Sequence, residues 1–221
     1  MQRLRAHLRG RTRLVETSVE VGDAAYRITR PADADSLIDE REFARDERLP
    51  YWADLWPSAV ALARSISTRN LAGVRAIELG CGVGLPSMVA LSRGARVTST
   101  DHYDAALDSA RYNARVNLDR EPETLLLDWH ASRTVRFGLF DVVLAADVLY
   151  EARNVPALAA LVPTLLAPGG ELVIADPRRK DAPVFLERMR ERGFEASTEE
   201  CFVVSDGQEV RVMLHRLWRG S

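Results

Sequence analysis

Hydrophobic and polar positions follow two different periods along the chain, and each change of period marks a predicted element. Residues 15–21 and 24–31 flank a Gly-Asp pair, which predicts a β-hairpin with a tight turn. The stretch 32–50 is charged and irregular. Residues 51–67 are predicted to form a helix, with Pro57 near its first turn and apolar residues along one face.

From residue 74 onwards, predicted strands and helices alternate regularly. The predicted strands are 74–79, 96–101, 124–129, 140–150, 171–177, 195–204 and 209–218. The predicted helices are 85–94, 104–118, 155–170, which Pro-Gly-Gly closes, and 182–194. Such alternation with continuously apolar strands is typical of an α/β fold whose parallel sheet is covered on both faces. The final two strands add an antiparallel element at one edge.

Composition indicates an ordinary globular protein. The 221 residues are 47% hydrophobic, with a formal net charge of −2, so we expect no nucleic-acid partner. Cys81 and Cys201 do not make a disulfide framework, and the histidines are too scattered to predict a metal site. No apolar run is long enough for a bilayer, and no secretory signal is evident, so we expect a cytoplasmic protein without a membrane partner.

The N-terminus is the one segment with a biased composition. It contains five arginines and no acidic residue before Glu16. We interpret this segment as a solvated, partly frayed basic arm. A targeting peptide or a contact with an acidic partner are the alternatives.

A glycine-rich loop at residues 78–87 lies where the first parallel strand leads into the first helix after it. Open α/β sheets bind ligands at this position. A dinucleotide fingerprint needs a small residue at position 85, which is Leu85, and no Gly-Lys-Ser/Thr follows for a phosphate loop. The remaining pattern is Glu78, Gly80, Cys81, Gly82 and Gly84.

Acidic residues near three successive strand ends predict a cationic cofactor. Glu78 would repel a pyrophosphate but would attract an ammonium or a sulfonium, and S-adenosylmethionine carries both. Asp101 is placed to accept from ribose hydroxyls. Asp128 suits the adenine amino group, with Trp129 beside the ring. Helix capping and turn formation are the structural alternatives for these acids, but the conjunction favours S-adenosylmethionine.

The glycine motif, Asp101, the Leu-Asp-Trp run and the closing strand pair resemble the class I, seven-strand, S-adenosylmethionine-dependent methyltransferases over about residues 50–218. The resemblance implies a Rossmann-like, doubly wound sheet of seven strands whose last strand is antiparallel. Residues 1–49 would form an N-terminal arm and hairpin extension. Residues 50–221 would form the methyltransferase domain, and the extension and this domain would make one compact unit.

The acceptor end of the site is predicted at the end of the fourth parallel strand, where Asp147 and Tyr150 would face the sulfonium. Their D-x-x-Y pattern resembles a subgroup of seven-strand protein methyltransferases that mostly modify lysine. The Asp-Pro-Arg-Arg segment at 176–179 is similar to the Asp-Pro-Gly-Arg segment of the branch acting on the electron-transfer flavoprotein β subunit. Arg178 stands where that branch has glycine.

Two tryptophans precede the first parallel strand, in a stretch similar to that subgroup's tryptophan-containing helix. Trp52 and Trp56 are four residues apart and would share a helix face. Core packing is an equal alternative for Trp52, so only Trp56 is assigned to the cofactor.

The sequence predicts an S-adenosylmethionine-dependent N-methyltransferase, most similar to protein-lysine methyltransferases, that needs no metal and is monomeric. Asp147 and Tyr150 are the predicted catalytic residues. The predicted cofactor-binding residues are Trp56, Glu78, Gly80, Cys81, Gly82, Gly84, Asp101, Asp128, Trp129 and Asp147. A small-molecule N-methyltransferase and a non-catalytic protein that binds S-adenosylmethionine or S-adenosylhomocysteine are the alternatives.

Overall fold

A computed structural model describes residues 2–8, 10–38, 49–131 and 138–220 of the protein. Its helices are α1 (Gln2–Leu8), α2 (Pro57–Ser67), α3 (Leu85–Ser92), α4 (Asp104–Leu118), α5 (Asn154–Leu165) and α6 (Ala182–Arg190). Its strands are β1 (Leu14–Val21), β2 (Ala24–Pro31), β3 (Arg75–Leu79), β4 (Arg96–Asp101), β5 (Glu123–Leu126), β6 (Phe140–Ala146), β7 (Leu166–Asp176), β8 (Phe194–Ser205) and β9 (Gln208–Arg219). Much of the predicted irregular stretch 32–50 lies outside the described residues.

The main sheet has seven strands in the order β5-β4-β3-β6-β7-β9-β8. The five strands from β5 to β7 are parallel, and β9 lies antiparallel between β7 and β8. The predicted fold class, with an antiparallel last strand, is confirmed. Because β3 and β4 are neighbours and β5 follows β4, the three strands that lead to acidic residues end at one edge of the sheet.

Side chains from successive strand positions fill two cores, one on each face of the sheet. Leu144 of β6 packs with Leu62 of α2 on one face. On the other face, Val143 of the same strand packs with Phe185 of α6. This alternation follows from the two-residue period of a strand, and it explains why β6, which is covered on both faces, is apolar at every position except Asp141.

The predicted hairpin is confirmed and packs on the main fold. Ile28 of β2 is fully buried in the core that contains α2 and α3. Asn113 of α4 accepts a hydrogen bond from the Thr29 N–H over 2.9 Å and donates to the Thr29 carbonyl over 3.1 Å. The hairpin therefore shares its core with the methyltransferase fold, while the predicted division at residue 49 stays a prediction.

The interpretation of the N-terminus as a solvated, frayed arm is wrong for residues 2–8. These residues form α1, which packs against α4. Leu4 and Leu8 lie four residues apart on one face and are buried against Trp52 and Ala106. His7 faces Asp108 of α4 at 3.1 Å between Nε2 and Oδ2. The arginines of α1 lie on its exposed face.

Several element boundaries differ from the predictions, and the strand predicted over 140–150 ends at Ala146, before Asp147 and Tyr150. The helix predicted from residue 51 begins at Pro57, after a separate 3₁₀ turn over Tyr51–Ala53. The strand predicted to reach Trp129 ends at Leu126. The Pro-Gly-Gly run belongs to β7, where the register with β6 shifts, instead of closing α5. None of the helices in the described ranges has the length and apolar character to span a bilayer.

Candidate active site

The turn from β3 into α3 holds three glycines in the left-handed region, which other L-residues rarely adopt. The φ angle is +71° at Gly80, +50° at Gly82 and +86° at Gly84. The Cys81 N–H donates to the Thr100 carbonyl of β4 over 2.8 Å and anchors the turn. The glycines therefore let the chain reverse direction at the carboxyl end of the sheet.

The third glycine of the motif serves helix packing. A Cβ at Gly84 would lie 2.6 Å from the Ala110 Cβ on α4. A Cβ at Gly82 would lie only 3.2 Å from the Trp52 carbonyl oxygen. Gly84 does not line the cavity that the other motif residues share, within the described part of the chain. Its predicted contact with the cofactor stays a prediction.

Glu78, on β3, is the most deeply buried acidic group of the site, at 1% exposure. Its Oε2 accepts hydrogen bonds from the Ser87 hydroxyl and, over 2.9 Å, from the Ser87 N–H. Burial raises the pKa of the Glu78 carboxyl to about 8, although the bonds from Ser87 oppose the rise. A cationic ligand nearby would favour the ionised form of this carboxyl group.

Asp101 joins the end of β4 to the glycine turn. Its Oδ2 accepts from the Gly82 N–H and its Oδ1 from the Tyr103 N–H, each over 3.0 Å. Burial raises the pKa of the Asp101 carboxyl to about 6, although these backbone bonds oppose the rise. Asp101 thus stabilises the turn and lines the cavity at the same time.

Asp128 and Trp129 follow β5 in a turn instead of ending the strand. The Asp128 Oδ1 accepts from the His130 N–H over 2.9 Å, and its Oδ2 lies 3.8 Å from the His102 Nδ1. The Trp129 ring lies against Gly80, where a Cβ would come within 3.1 Å of the ring. The flat ring therefore closes one wall beside the glycine turn.

These residues surround one cavity of about 410 Å³ at the carboxyl ends of β3, β4 and β6. Its volume is in the range of small-molecule sites. The predicted site residues that line it are Trp56, Glu78, Gly80, Cys81, Gly82, Asp101, Asp128, Trp129, Asp147 and Tyr150. The topology thus brings together residues that are up to 94 positions apart, from Trp56 to Tyr150.

Asp147 follows β6 with an unusual backbone conformation, at φ +53°. Its N–H donates to the Ala175 carbonyl of β7 over 2.8 Å. Both oxygens of its carboxylate accept from Arg179, at 2.8 Å from Nε to Oδ1 and 2.9 Å from Nη2 to Oδ2. Asp147 is therefore held in one orientation by its own backbone and by a planar guanidinium.

Tyr150 lies at the same end of the cavity, in a group of aromatic rings. Its ring centroid is 5.2 Å from that of Tyr51, with the planes at 72°. Tyr51 also contacts Trp56, at 5.9 Å and 76°. Burial raises the pKa of the Tyr150 hydroxyl well above its ordinary value. Tyr150 is therefore a neutral hydrogen-bonding group and an aromatic surface at physiological pH.

The two tryptophans do not share a helix face, because the helix begins only at Pro57. Trp52 belongs to the 3₁₀ turn and is buried beside Leu4 and Leu8, although it also contributes to the cavity wall. Trp56 lies between this turn and the first residue of α2, and its Nε1 donates to the Tyr51 carbonyl over 2.8 Å. Trp56 thereby lines the cavity.

Sequence reasoning missed Tyr51, His130, Asn154 and Arg179, which also line the cavity. Asn154 is 3% exposed. It accepts from or donates to His130 over 3.2 Å and donates to the Val148 carbonyl over 3.0 Å. A signal for Arg179 was present in the sequence. Arg179 follows the end of β7, Asp147 follows the end of β6, and these two strands pair in the sheet. The other three carried no pattern that separates them from loop residues.

The cavity residues fit S-adenosylmethionine. The glycine turn removes side chains where the chain approaches the cavity, and Glu78 is a buried carboxylate whose charge a cation would stabilise. Glu78, Asp101 and Asp128 are the residues that would hold the amine, ribose and adenine groups of the cofactor.

The fold and the cavity together define the class I methyltransferase architecture, as the sequence predicted. The chain belongs to the lysine methyltransferase family, whose model matches residues 45–192.

Curated relatives share this region of the chain. EEF1A lysine methyltransferase 3 of Mus musculus is 29% identical over 153 residues, which cover 66% of each chain. Protein N-lysine methyltransferase METTL21A of Xenopus tropicalis is 33% identical over 48% of this chain and 51% of its own length. Histone-arginine methyltransferase METTL23 of Mus musculus is 31% identical over 51% of this chain and 47% of its own. The chain thus spans less than two thirds of these relatives.

Solved structures share the fold. N-methyltransferase NodS from Bradyrhizobium japonicum, in complex with S-adenosyl-L-homocysteine, matches with a TM-score of 0.58 and 21% identity over 84% of this chain and 92% of its own. Magnesium protoporphyrin IX methyltransferase from Synechocystis, with bound S-adenosylmethionine, has a TM-score of 0.56 and 19% identity over 83% and 86%.

Proposed function

We propose that this protein transfers a methyl group from S-adenosylmethionine to a lysine side chain of a protein substrate. The observation that carries the proposal is the placement of Asp147 and Tyr150 together at one end of the glycine-lined cavity. Family membership supports the lysine acceptor, as do the relatives named for lysine methylation.

The chemistry asks the protein mainly to position and desolvate an amine. Bound S-adenosylmethionine supplies an electrophilic methyl group, so the amine forms an N–C bond while the S–C bond breaks. The amine must first lose a proton, and an ordinary lysine pKa of about 10.4 makes this cost roughly 4 to 5 kcal/mol at pH 7. A partly buried site beside a sulfonium lowers that cost because both disfavour the ammonium form.

Asp147 and Tyr150 have distinct roles in this proposal. The Asp147 carboxylate attracts and orients the incoming amine through charge and hydrogen bonding. The Tyr150 ring offers a π face to the cationic form, and the Tyr51 ring beside it extends that aromatic surface. The aliphatic part of a lysine side chain would pass along these rings.

The test is methyl transfer from labelled S-adenosylmethionine to proteins of a fractionated cell lysate. Asp147→Asn should lower the rate on the order of 100-fold, because the amine loses the carboxylate that orients it. Asp119→Asn is the matched control, since Asp119 has the same φ of +53° but lies exposed at the end of α4. Label recovered on lysine after digestion, lost in the Asp147 variant and kept in the control, supports the proposal.

A second candidate acceptor is arginine, because METTL23 of Mus musculus, at 31% identity, is named a histone-arginine methyltransferase. Digestion of the labelled substrate distinguishes methyl-arginine from methyl-lysine directly. Label confined to small molecules would instead favour a small-molecule N-methyltransferase. Cofactor binding without any transfer would favour a binding protein.

The proposal includes a monomeric, cytoplasmic enzyme with no nucleic-acid partner. The nearly balanced charge of −2 across 221 residues supports only the last of these points. Light scattering of the purified protein and fractionation of cells that express it are the measurements that decide these points.

A further inference from the structure

A forked ion pair closes the acceptor end of the cavity. Asp147 follows β6 and Arg179 follows β7, and these strands are neighbours in the sheet. The Asp147 side chain is 5% exposed, whereas that of Arg179 is 37% exposed. Two nearly parallel N–H···O bonds fix the plane of the carboxylate relative to the guanidinium. One side of the Asp147 carboxylate is therefore occupied before any amine arrives.

A second carboxylate, that of Asp176, contacts the backbone of the same arginine. Asp176 ends β7 and is 1% exposed. Its Oδ1 accepts from the Arg179 N–H over 2.7 Å, and its buried Oδ2 has no hydrogen-bond partner among the described residues. Burial raises the pKa of Asp176 to about 6, and the charge of Asp147 adds to the rise. The Arg179 guanidinium thus interacts electrostatically with both acids.

This arrangement answers a conflict in the proposed chemistry. A carboxylate that attracts an ammonium also stabilises it, whereas methyl transfer needs the neutral amine. A lone Asp147 in a partly buried site would hold the acceptor in its unreactive form. A guanidinium next to that carboxylate cancels most of its net charge while leaving lone pairs on both oxygens free to accept from an amine.

We infer that Arg179 is a positioning residue that orients the Asp147 carboxylate and balances its charge, so that the site binds an amine without holding it protonated. The inference rests on the proposed amine acceptor. It assigns to Arg179 an electrostatic function at the reacting end of the cavity, beyond the stability that an ion pair gives.

Other charged or titratable groups face the same cavity, and none of them is changed in the Arg179 variants. The acidic ones are Asp54, Glu78, Asp101, Asp128 and Glu151. The basic or titratable ones are Arg153, His102 and His130, with the phenols of Tyr51, Tyr103 and Tyr150 and the thiol of Cys81. Acids outnumber arginines in this lining, so removal of Arg179 should leave the acceptor end clearly more negative.

The first test compares two ligands of the cofactor site and needs no acceptor. Sinefungin carries an amino group in place of the sulfonium and its methyl, whereas S-adenosylhomocysteine has an uncharged sulfur there. We expect Arg179→Gln to raise the affinity for sinefungin relative to S-adenosylhomocysteine on the order of tenfold, since the carboxylate loses its counter-charge. Arg179→Lys keeps the charge and should leave the ratio near that of the wild type.

Two further variants separate charge balance from general damage. Arg179→Gln combined with Asp147→Asn removes both charges and should return the ratio towards the wild-type value. Lys180→Gln removes an exposed neighbouring cation and should leave the ratio unchanged. Thermal unfolding of every variant identifies those that fold. An unchanged ratio in folded Arg179→Gln overturns the inference, and so does a ratio in the double variant that stays as high as in the single one.

Turnover gives the second readout once an acceptor is known. Arg179→Gln should lower kcat without raising the KM of the acceptor, and Arg179→Lys should restore most of kcat. A rise in KM at unchanged kcat would mean that Arg179 only binds the substrate. The two proposals can fail separately. If the wild-type enzyme transfers no label to any protein, the lysine acceptor is contradicted. The ratio of the affinities for sinefungin and S-adenosylhomocysteine still decides the role of Arg179.

Discussion

Replacing Glu78 with glutamine removes an ionisable group from the most buried part of the cavity. The change keeps the size of the side chain and an oxygen that can accept from Ser87. In the folded protein the pKa of Glu78 is about 8, against an ordinary value of 4.5. We expect Glu78→Gln to unfold less easily than the wild type and to bind S-adenosylmethionine more weakly.

The magnitude follows from the difference between the two pKa values. A carboxyl whose pKa is raised by folding contributes its full stability below pH 4.5 and loses it as the pH rises towards 8. At about 1.4 kcal/mol per pH unit, the cost of keeping Glu78 buried is about 3 kcal/mol at pH 7 and about 1 kcal/mol at pH 5. Glutamine avoids this cost. For a chain of this length, the gain at pH 7 corresponds to a rise in Tm of up to about 10 °C.

The assay is thermal and urea unfolding of both proteins at pH 5, 6, 7 and 8 without cofactor. The stability difference should grow with pH over this range. Glu209→Gln, a change at an exposed glutamate, should show no such growth. A difference that is constant with pH, or that favours the wild type at pH 8, would refute the assigned burial and ionisation of Glu78.

Cofactor binding supplies an independent check on the same group. If the bound cation restores the charge of Glu78, binding near pH 7 must release close to one proton, because the free carboxyl is mostly protonated there. Calorimetry in buffers of different ionisation enthalpy measures this release. The release should disappear in Glu78→Gln, whose affinity should also depend less on pH.

Two further predictions concern packing around the site. Gly84→Ala should cost about 2 to 4 kcal/mol in urea unfolding, because its Cβ would clash with Ala110 at 2.6 Å. Gly73→Ala, with a similar φ of +78° but open space, should cost only about 1 kcal/mol. Leu4→Ala should cost about 2 to 4 kcal/mol because Leu4 is fully buried. Arg3→Ala changes an exposed residue of the same helix, and its free energy of unfolding should be within about 0.5 kcal/mol of the wild type. Equal losses of stability in Leu4→Ala and Arg3→Ala would mean that α1 does not pack against α4 in solution.

The sheet and the position of the cavity were predictable because they depend on local patterns. Regular alternation of strand-like and helix-like patterns identifies the parallel strands, and the topology of such a sheet brings their carboxyl ends together. Glu78 and Asp101 could therefore be assigned to one edge without knowledge of any contact. The same logic placed Asp147 and Tyr150, since β6 pairs directly with β3.

The misses come from contacts that the sequence pattern does not encode. The packing of Gly84 against α4 could not be read from the glycine motif, because close approach of a helix and close approach of a ligand both require a missing side chain. Arg179 pairs with a residue 32 positions away, through a loop whose direction no local rule gives. The packing of α1 had a signal, the pair Leu4 and Leu8 at helical spacing, but the arginines around it dominated the interpretation.

The insertion of β9 between β7 and β8 has a consequence for the order in which a growing chain can fold. β8 pairs with no strand other than β9 in the described sheet, so β8 cannot join the sheet before β9 has been synthesised. β7 meanwhile presents an unpaired edge, a hazard for association with other chains. Both problems end only when Gln208–Arg219 has been made and enters the gap. The half of the sheet that carries the glycine turn can thus form before the other edge is completed by β9, which follows all other strands of the described sheet along the chain.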